Sequence, residues 1–114
     1  MENRKIRVGI THGDINGVGY EVILKTFSDP TMLELCTPVV YGSPKVAAYH
    51  RKAMEIQTSF SIVNSAEEVQ DGRVNVVNCI EEELKVELTK PTPEAGKAAL
   101  AALERALADY REGL

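Results

Sequence analysis

Between Thr11 and Glu21 the chain reads Thr11-His12-Gly13-Asp14-Ile15-Asn16-Gly17-Val18-Gly19-Tyr20-Glu21, which puts an imidazole, a carboxamide and two carboxylates among three glycines. Ile6-Arg7-Val8-Gly9-Ile10 before it has the apolar content of a strand, and Val22-Ile23-Leu24-Lys25-Thr26-Phe27 after it has a helical pattern. A strand that ends in a glycine-rich crossing and opens a helix leaves backbone N–H groups unpaired at one end of a sheet. An anionic ligand can meet them there.

Tested against known patterns, Gly17-Val18-Gly19 supplies two glycines of a dinucleotide fingerprint, but Val22 occupies the third place, and the Gly-Lys-Ser/Thr of a P-loop is missing. The structural account is that these glycines take positive φ and let strand and helix meet tightly. Asp14 carries two open readings: an acceptor for loop N–H groups, or a group beside a cofactor or substrate cleft past the strand's carboxyl end. Glu21, in the first helical turn, reads as structural. His12 shares the loop, but one histidine makes no metal site, and neither His50 nor the cysteines are spaced to join it. His50-Arg51-Lys52 reads as a solvated helix face or C-terminal turn. There is no nucleophile elbow, no His-Glu-x-x-His and no Ser/His/Asp constellation.

The elements that must position this turn alternate in period. The pattern predicts strands at Ile6–Ile10, Pro38–Tyr41, Ser59–Val63 and Val74–Val77, and helices at Gly19–Phe27 and Pro44–Glu55, the latter with Ser43 as N-cap and Pro44 at its first position. Ala66–Val69 is too short to assign. A last helix is capped by Thr92, carries Pro93 in its first turn, places Ala99, Leu103, Ala106, Leu107 and Tyr110 on one face, and ends at Gly113. Its many alanines favour close packing. Strands alternating with helices predict an α/β fold, a mostly parallel sheet with helices on both faces. The run Glu81-Glu82-Glu83-Leu84-Lys85-Val86-Glu87-Leu88 breaks the alternation and reads as an edge strand, or one paired only by residues beyond 114.

At 114 residues, with 44% hydrophobic residues, the chain reads as a single domain, 1–114, with enough apolar residues for a core. A net charge of −4 and no basic cluster larger than His50-Arg51-Lys52 argue against a nucleic-acid partner. No apolar run approaches the roughly 20 residues that cross a bilayer, and the start lacks a signal-peptide core, so the expected location is cytoplasmic with no membrane partner. Cys36 and Cys79, without Cys-x-x-Cys spacing, are expected as reduced, part-buried thiols.

Gly13-Asp14-Ile15-Asn16-Gly17-Val18-Gly19-Tyr20-Glu21-Val22 resembles the Gly-Asp-Pro-x-Gly-Ile-Gly-Pro-Glu-Ile signature of the 4-hydroxythreonine-4-phosphate dehydrogenase family and, more distantly, the start of isopropylmalate and isocitrate dehydrogenases. Pro38-Val39-Val40-Tyr41-Gly42-Ser43-Pro44 and Lys90-Pro91-Thr92-Pro93-Glu94-Ala95-Gly96-Lys97-Ala98-Ala99 are similar to two further segments of that family, in the same order. Ile15 and Tyr20 stand where the family has proline, which implies a turn less rigid than the family's.

The resemblance implies an isopropylmalate dehydrogenase-like fold, incomplete here because the family's chains run on well past residue 114. It also implies oxidation of a phosphorylated 4-hydroxythreonine with NAD and a divalent metal, then loss of carbon dioxide, in a homodimer. His12, Gly13, Asp14, Asn16 and Gly17 are the expected cofactor-binding or cleft-lining residues. The family's metal-binding histidines fall in its later part, so no catalytic or metal-ligating residue is expected within 1–114, and this chain alone is expected to be inactive and to bind neither cofactor tightly. The contrasting hypothesis is a stand-alone α/β module that binds an anionic metabolite or a protein partner without catalysis. A third, an acyl-phosphate transferase on the same fold, lacks the Gly13-Asp14 wording.

Overall fold

The computed structural model describes residues 6–80, 86, 90 and 92–113. Four strands form one parallel sheet: β1 (Ile6–Thr11), β2 (Cys36–Gly42), β3 (Phe60–Val63) and β4 (Val74–Asn78), in the order β1-β2-β4-β3. Four helices accompany them: α1 (Gly19–Thr26), α2 (Pro30–Leu35), α3 (Pro44–Ala53) and α4 (Pro93–Arg111). Strand alternation sorts the core into two layers. Val40 and Val76 face Tyr20, Ile23 and Phe27 of α1 and its end, with Val46 and Ala47 of α3. Val39, Tyr41 and Val77 face Ala102 on the other side. The sheet therefore has helices on both faces, as the alternation predicts.

Local chemistry explains most element ends. Ser43 accepts from the Val46 N–H and Thr92 from the Ala95 N–H, each followed by a proline whose missing N–H costs nothing in a first turn. α3 stops at Ala53, two residues before the expected Glu55. The Ile56 N–H donates to the Arg51 carbonyl and the Glu55 N–H to that of Lys52, while Glu55 takes a left-handed φ of 53°. This is a Schellman ending built without glycine. α2 falls in a stretch with no predicted element. Asp29 caps it through the Thr31 N–H and Pro30 opens it, a cap signal that was present in the sequence but followed by only a short apolar run. Ala66–Glu68 forms a 3-10 turn. The expected edge strand at Glu81–Leu88 lies outside the described residues except for Val86, which packs part-buried on the core.

α4 corrects an expectation. The face expected to cover the core contains Leu103, Leu107 and Tyr110, yet these are 56%, 47% and 81% exposed, while Ala95, Ala98 and Ala102 are buried. Small side chains let the helix axis come close to the sheet, so the alanine stripe wins the inner position and the larger side chains point outward.

The link from β3 to β4 is short for a parallel connection, and two buried side chains hold it. The Asn75 carboxamide accepts from the Gln70 N–H and donates to the carbonyls of Gln70 and Arg73, while the Thr37 hydroxyl accepts from the Gly72 N–H. Asn75→Ala leaves several part-buried backbone groups without their partner. It is expected to lower stability by about 2–4 kcal/mol, and Thr37→Val by about 1 kcal/mol. Urea unfolding midpoints measure both.

Candidate functional site

The turn sits where the carboxyl ends of β1 and β2 meet the amino ends of α1, α3 and α4. β1 hands over to it through the His12 N–H, which donates to the Tyr41 carbonyl at 3.1 Å. Gly13 then takes φ 67°, and Asp14 closes a tight loop by accepting the Asn16 N–H on Oδ1 and the Gly17 N–H on its carbonyl. Gly19 opens α1. A Cβ there would lie 2.5 Å from the His12 carbonyl oxygen, so this glycine serves close approach, not positive φ.

Behind the loop lies a buried polar knot. His12 Nε2 is 2.9 Å from the Ala98 carbonyl, which can only accept, so Nε2 carries the proton. Nδ1 then accepts from the Tyr20 hydroxyl at 3.0 Å, and that oxygen in turn accepts from the Ser43 N–H at 2.9 Å. The three contacts connect the end of β1, the start of α1, the start of α3 and the first turns of α4. They close around Gly42, where a Cβ would stand 2.1 Å from the Tyr20 oxygen and 2.6 Å from His12 Nδ1. Burial holds the His12 imidazole below its ordinary value of 6.5, with the bond to Ala98 opposing the shift. It also pushes the Tyr20 hydroxyl far up, so both groups stay neutral.

A second histidine, expected on a solvated helix face or C-terminal turn, stands in the last turn of α3 but is buried. His50 donates from Nε2 to the Ile15 carbonyl at 2.7 Å and stacks on the Tyr20 ring with centroids 5.6 Å apart. It follows Val46 and Ala47 by four and three residues, which places it on the buried stripe of α3. This spacing was visible in the sequence and is the signal that could have found it. Its Nδ1 has no partner among the described residues. The turn lacks proline at Ile15 and Tyr20, but both side chains are buried, and His12, Tyr20 and His50 hold by hydrogen bonds what a fixed φ would otherwise hold.

The five expected site residues thus divide. His12 and Asn16 point inward: the Asn16 carboxamide donates to the Lys90 carbonyl at 2.9 Å and to the Thr92 hydroxyl at 3.4 Å, tying the turn to the cap of α4. Gly13 and Gly17 are half-buried and Asp14 is exposed, so these three form the outer surface of the loop. Val18 caps α1 with no side-chain hydrogen bond, whereas α3 and α4 have hydroxyl caps. The N–H groups of Gly19, Tyr20 and Glu21 therefore have no capping side chain, and this is the end at which an anion would be favoured. Glu21 forms an ion pair with Lys25 at 3.0 Å, a side-chain partner one turn along α1 in place of the backbone N–H groups its structural reading expects.

Elsewhere, a cavity of about 280 Å³ bounded by Phe27, Leu33, Thr58 and Arg73 opens at the opposite, amino end of the sheet. Another of about 80 Å³, beside Tyr41 and Tyr110, lies under α4. There Tyr41 donates to Asp109 at 2.8 Å and Asp109 pairs with Arg105. Cys36 and Cys79 are free and half-buried, and burial raises the Cys79 thiol. Among the described residues no three His, Cys, Asp or Glu side chains gather as metal ligands, and no helix is long and apolar enough to cross a membrane.

Residues 34–114 match the family model described as pyridoxal phosphate biosynthetic protein PdxA. Over all 114 residues the chain is 74% identical to a protein of Bacteroides thetaiotaomicron named 4-hydroxythreonine-4-phosphate dehydrogenase, of which it covers 31%. It is 30% identical to a protein of Oceanobacillus iheyensis named for D-threonate 4-phosphate dehydrogenase, with 97% of this chain and 34% of that one aligned. A crystal structure of a 4-hydroxythreonine-4-phosphate dehydrogenase from Burkholderia phymatum superposes with a TM-score of 0.84 at 25% identity, covering 97% of this chain and 34% of that one. The chain spans about a third of the length of these proteins.

Two results are expected from the knot. Tyr20→Phe should lower stability by about 1–2 kcal/mol, and Gly42→Ala by more, because the added methyl must displace a buried hydrogen-bonded pair. The folded-state pKa of His12 lies below the unfolded one. Its stabilising contribution is therefore complete above 6.5 and is lost as pH falls from there toward the lowered value. Urea midpoints taken from about pH 7.5 down to about pH 5.5 should decline; a flat profile contradicts the assignment of His12 as neutral and buried.

Proposed function

This chain belongs to the PdxA family of pyridoxal phosphate biosynthetic proteins, and from that membership we propose that it is the amino-terminal part of a dehydrogenase acting on 4-phosphooxy-threonine. The proposed reaction is NAD-dependent and divalent-metal-assisted, with subsequent decarboxylation. The observation that carries this reading is the 74% identity to the Bacteroides protein of that name across the whole chain, turn included. The D-threonate 4-phosphate name of the more distant relative keeps a 4-phosphate, so a site for a phosphorylated substrate is common to both readings. The full-length enzyme is proposed to be a cytoplasmic homodimer.

The chain's own residues support a binding role. NAD, when bound, supplies the hydride acceptor. The first turn of α1, which has no side-chain cap, suits a phosphate-bearing group because a helix amino end carries partial positive charge and the knot behind it restricts rearrangement. Asp14, exposed beside it, would accept a hydroxyl hydrogen from the same ligand while its Oδ1 continues to hold the Asn16 N–H. The metal does not fit here. Both histidines donate Nε2 hydrogens to backbone carbonyls, so its ligands are assigned to the remaining two thirds of the full-length protein.

The test is to mix the full-length gene product with NAD, a divalent metal and 4-phosphooxy-threonine and follow reduced cofactor. Turnover is expected from the full-length protein and none from residues 1–114. A silent full-length protein removes the dehydrogenase reading, and an active short chain removes the claim that it is only a part. Asp14→Asn keeps the acceptor for Asn16 but loses the charge. It is expected to raise the KM for NAD or for 4-phosphooxy-threonine by about tenfold at unchanged stability, whereas two unchanged KM values make Asp14 purely a loop-closing residue.

A further inference from the structure

Of the five asparagines in the chain only Asn16 is followed by glycine; the others precede Arg4, Ser65, Val76 and Cys79. With no Cβ on the following residue, the backbone nitrogen of Gly17 has the freest approach to the Asn16 carboxamide carbon. Ring closure joins the Gly17 nitrogen to Asn16 Cγ and expels the side-chain nitrogen, which takes up the proton that the Gly17 nitrogen loses and leaves as ammonia. Water then opens the cyclic imide at either carbonyl. One opening yields aspartate, the other isoaspartate, in which the main chain runs through the former side chain.

The glycine that makes this pair labile is not demanded by the fold. Gly13 has a φ of 67°, and a Cβ at Gly19 would lie 2.5 Å from the His12 carbonyl oxygen. A Cβ at Gly17 would meet only Asp14, at 3.5 Å and beyond, which is ordinary contact, and Gly17 is not among the residues with positive φ. Yet the fold holds the reacting groups apart. The Asn16 carboxamide donates to the Lys90 carbonyl at 2.9 Å and the Thr92 hydroxyl at 3.4 Å, while the Gly17 N–H donates to the Asp14 carbonyl at 3.0 Å. Asn16 is 2% exposed, so water for the second step is kept out as well. Reaction requires the carboxamide to leave the cap of α4, which is a local opening.

We infer that Asn16–Gly17 is a self-modification site, dormant while the turn is fastened to the cap of α4 and converted to aspartate and isoaspartate when that fastening opens. The products do not restore it. Aspartate turns acceptor-only oxygens toward the Lys90 carbonyl and adds a second carboxylate beside Asp14, whose Oδ1 holds the Asn16 N–H. Isoaspartate lengthens the main chain inside the loop that Asp14 closes. Conversion is therefore one-way and records openings of the turn.

Incubate the full-length protein for a prolonged period in mildly alkaline buffer, folded and in unfolding urea, and quantify both product forms of the Asn16 peptide by mass spectrometry. Conversion is expected to be about 100-fold slower in the folded protein than in urea. Thr92→Ala removes one acceptor and the cap of α4, and should speed conversion in the folded protein about fivefold with no change in urea. Thr37→Val, which weakens the fold at the opposite end of the sheet, should leave the Asn16 rate unchanged. Gly17→Ala, whose side chain the turn accommodates, should suppress conversion in both states. No conversion in urea, equal rates folded and unfolded, or no acceleration by Thr92→Ala overturns the inference. Equal acceleration by Thr92→Ala and Thr37→Val does so too, since it assigns the reaction to global unfolding.

Discussion

The missing Cβ of Gly42 is the constraint around which the carboxyl end of the sheet is organised. At that point β2 ends, α3 begins, and the space a side chain would occupy is taken by the Tyr20 hydroxyl and the His12 ring. Because the carbonyl of Ala98 can only accept, the direction of the whole series follows: Ser43 N–H to Tyr20, Tyr20 to His12, His12 to Ala98. Each donor and acceptor in it is buried, and in such surroundings a broken link exposes an unpaired polar group to an apolar interior. Four elements therefore keep their mutual positions through three hydrogen bonds.

That rigidity bears on the loop in front of the knot. The inward residues of the turn do the anchoring, and Gly13, Asp14 and Gly17 form its outer surface. His12 and Asn16 are fastened to α4 and its cap, and Ile15 is fastened through its carbonyl to His50 on α3. α3 and α4 satisfy their first turns with Ser43 and Thr92. α1 alone among the three helices that start here has no such cap, and the difference follows from Val18 having no polar side chain at that position.

The two sides of α4 show how packing can reverse a hydropathy pattern. Leucine and tyrosine bury more apolar area than alanine, so a pattern read by hydrophobicity alone assigns them to the core. The alanine face goes inside instead: Ala102 packs with Val39, Tyr41 and Val77, and Ala95 and Ala98 join the layer that holds Tyr20 and Val40. The Tyr41–Asp109–Arg105 contacts then fasten the carboxyl half of the helix in that orientation.

Period and caps were enough to read the four strands, the helices α1, α3 and α4, the α/β class, the hydroxyl caps of α3 and α4 and the glycine turn, because these depend on neighbours within a few residues. Family membership was likewise legible in three short segments. What the linear pattern could not yield were choices made by partners far apart in the chain. His12 meets Ala98, His50 meets Ile15, and Asn16 meets Lys90. Whether a histidine or a carboxamide in a glycine loop faces ligand or interior depends on which distant carbonyl is within reach, and only the folded arrangement supplies that distance. For the same reason composition determined that α4 is helical, while the depth of the sheet surface decided which of its two apolar faces went inside.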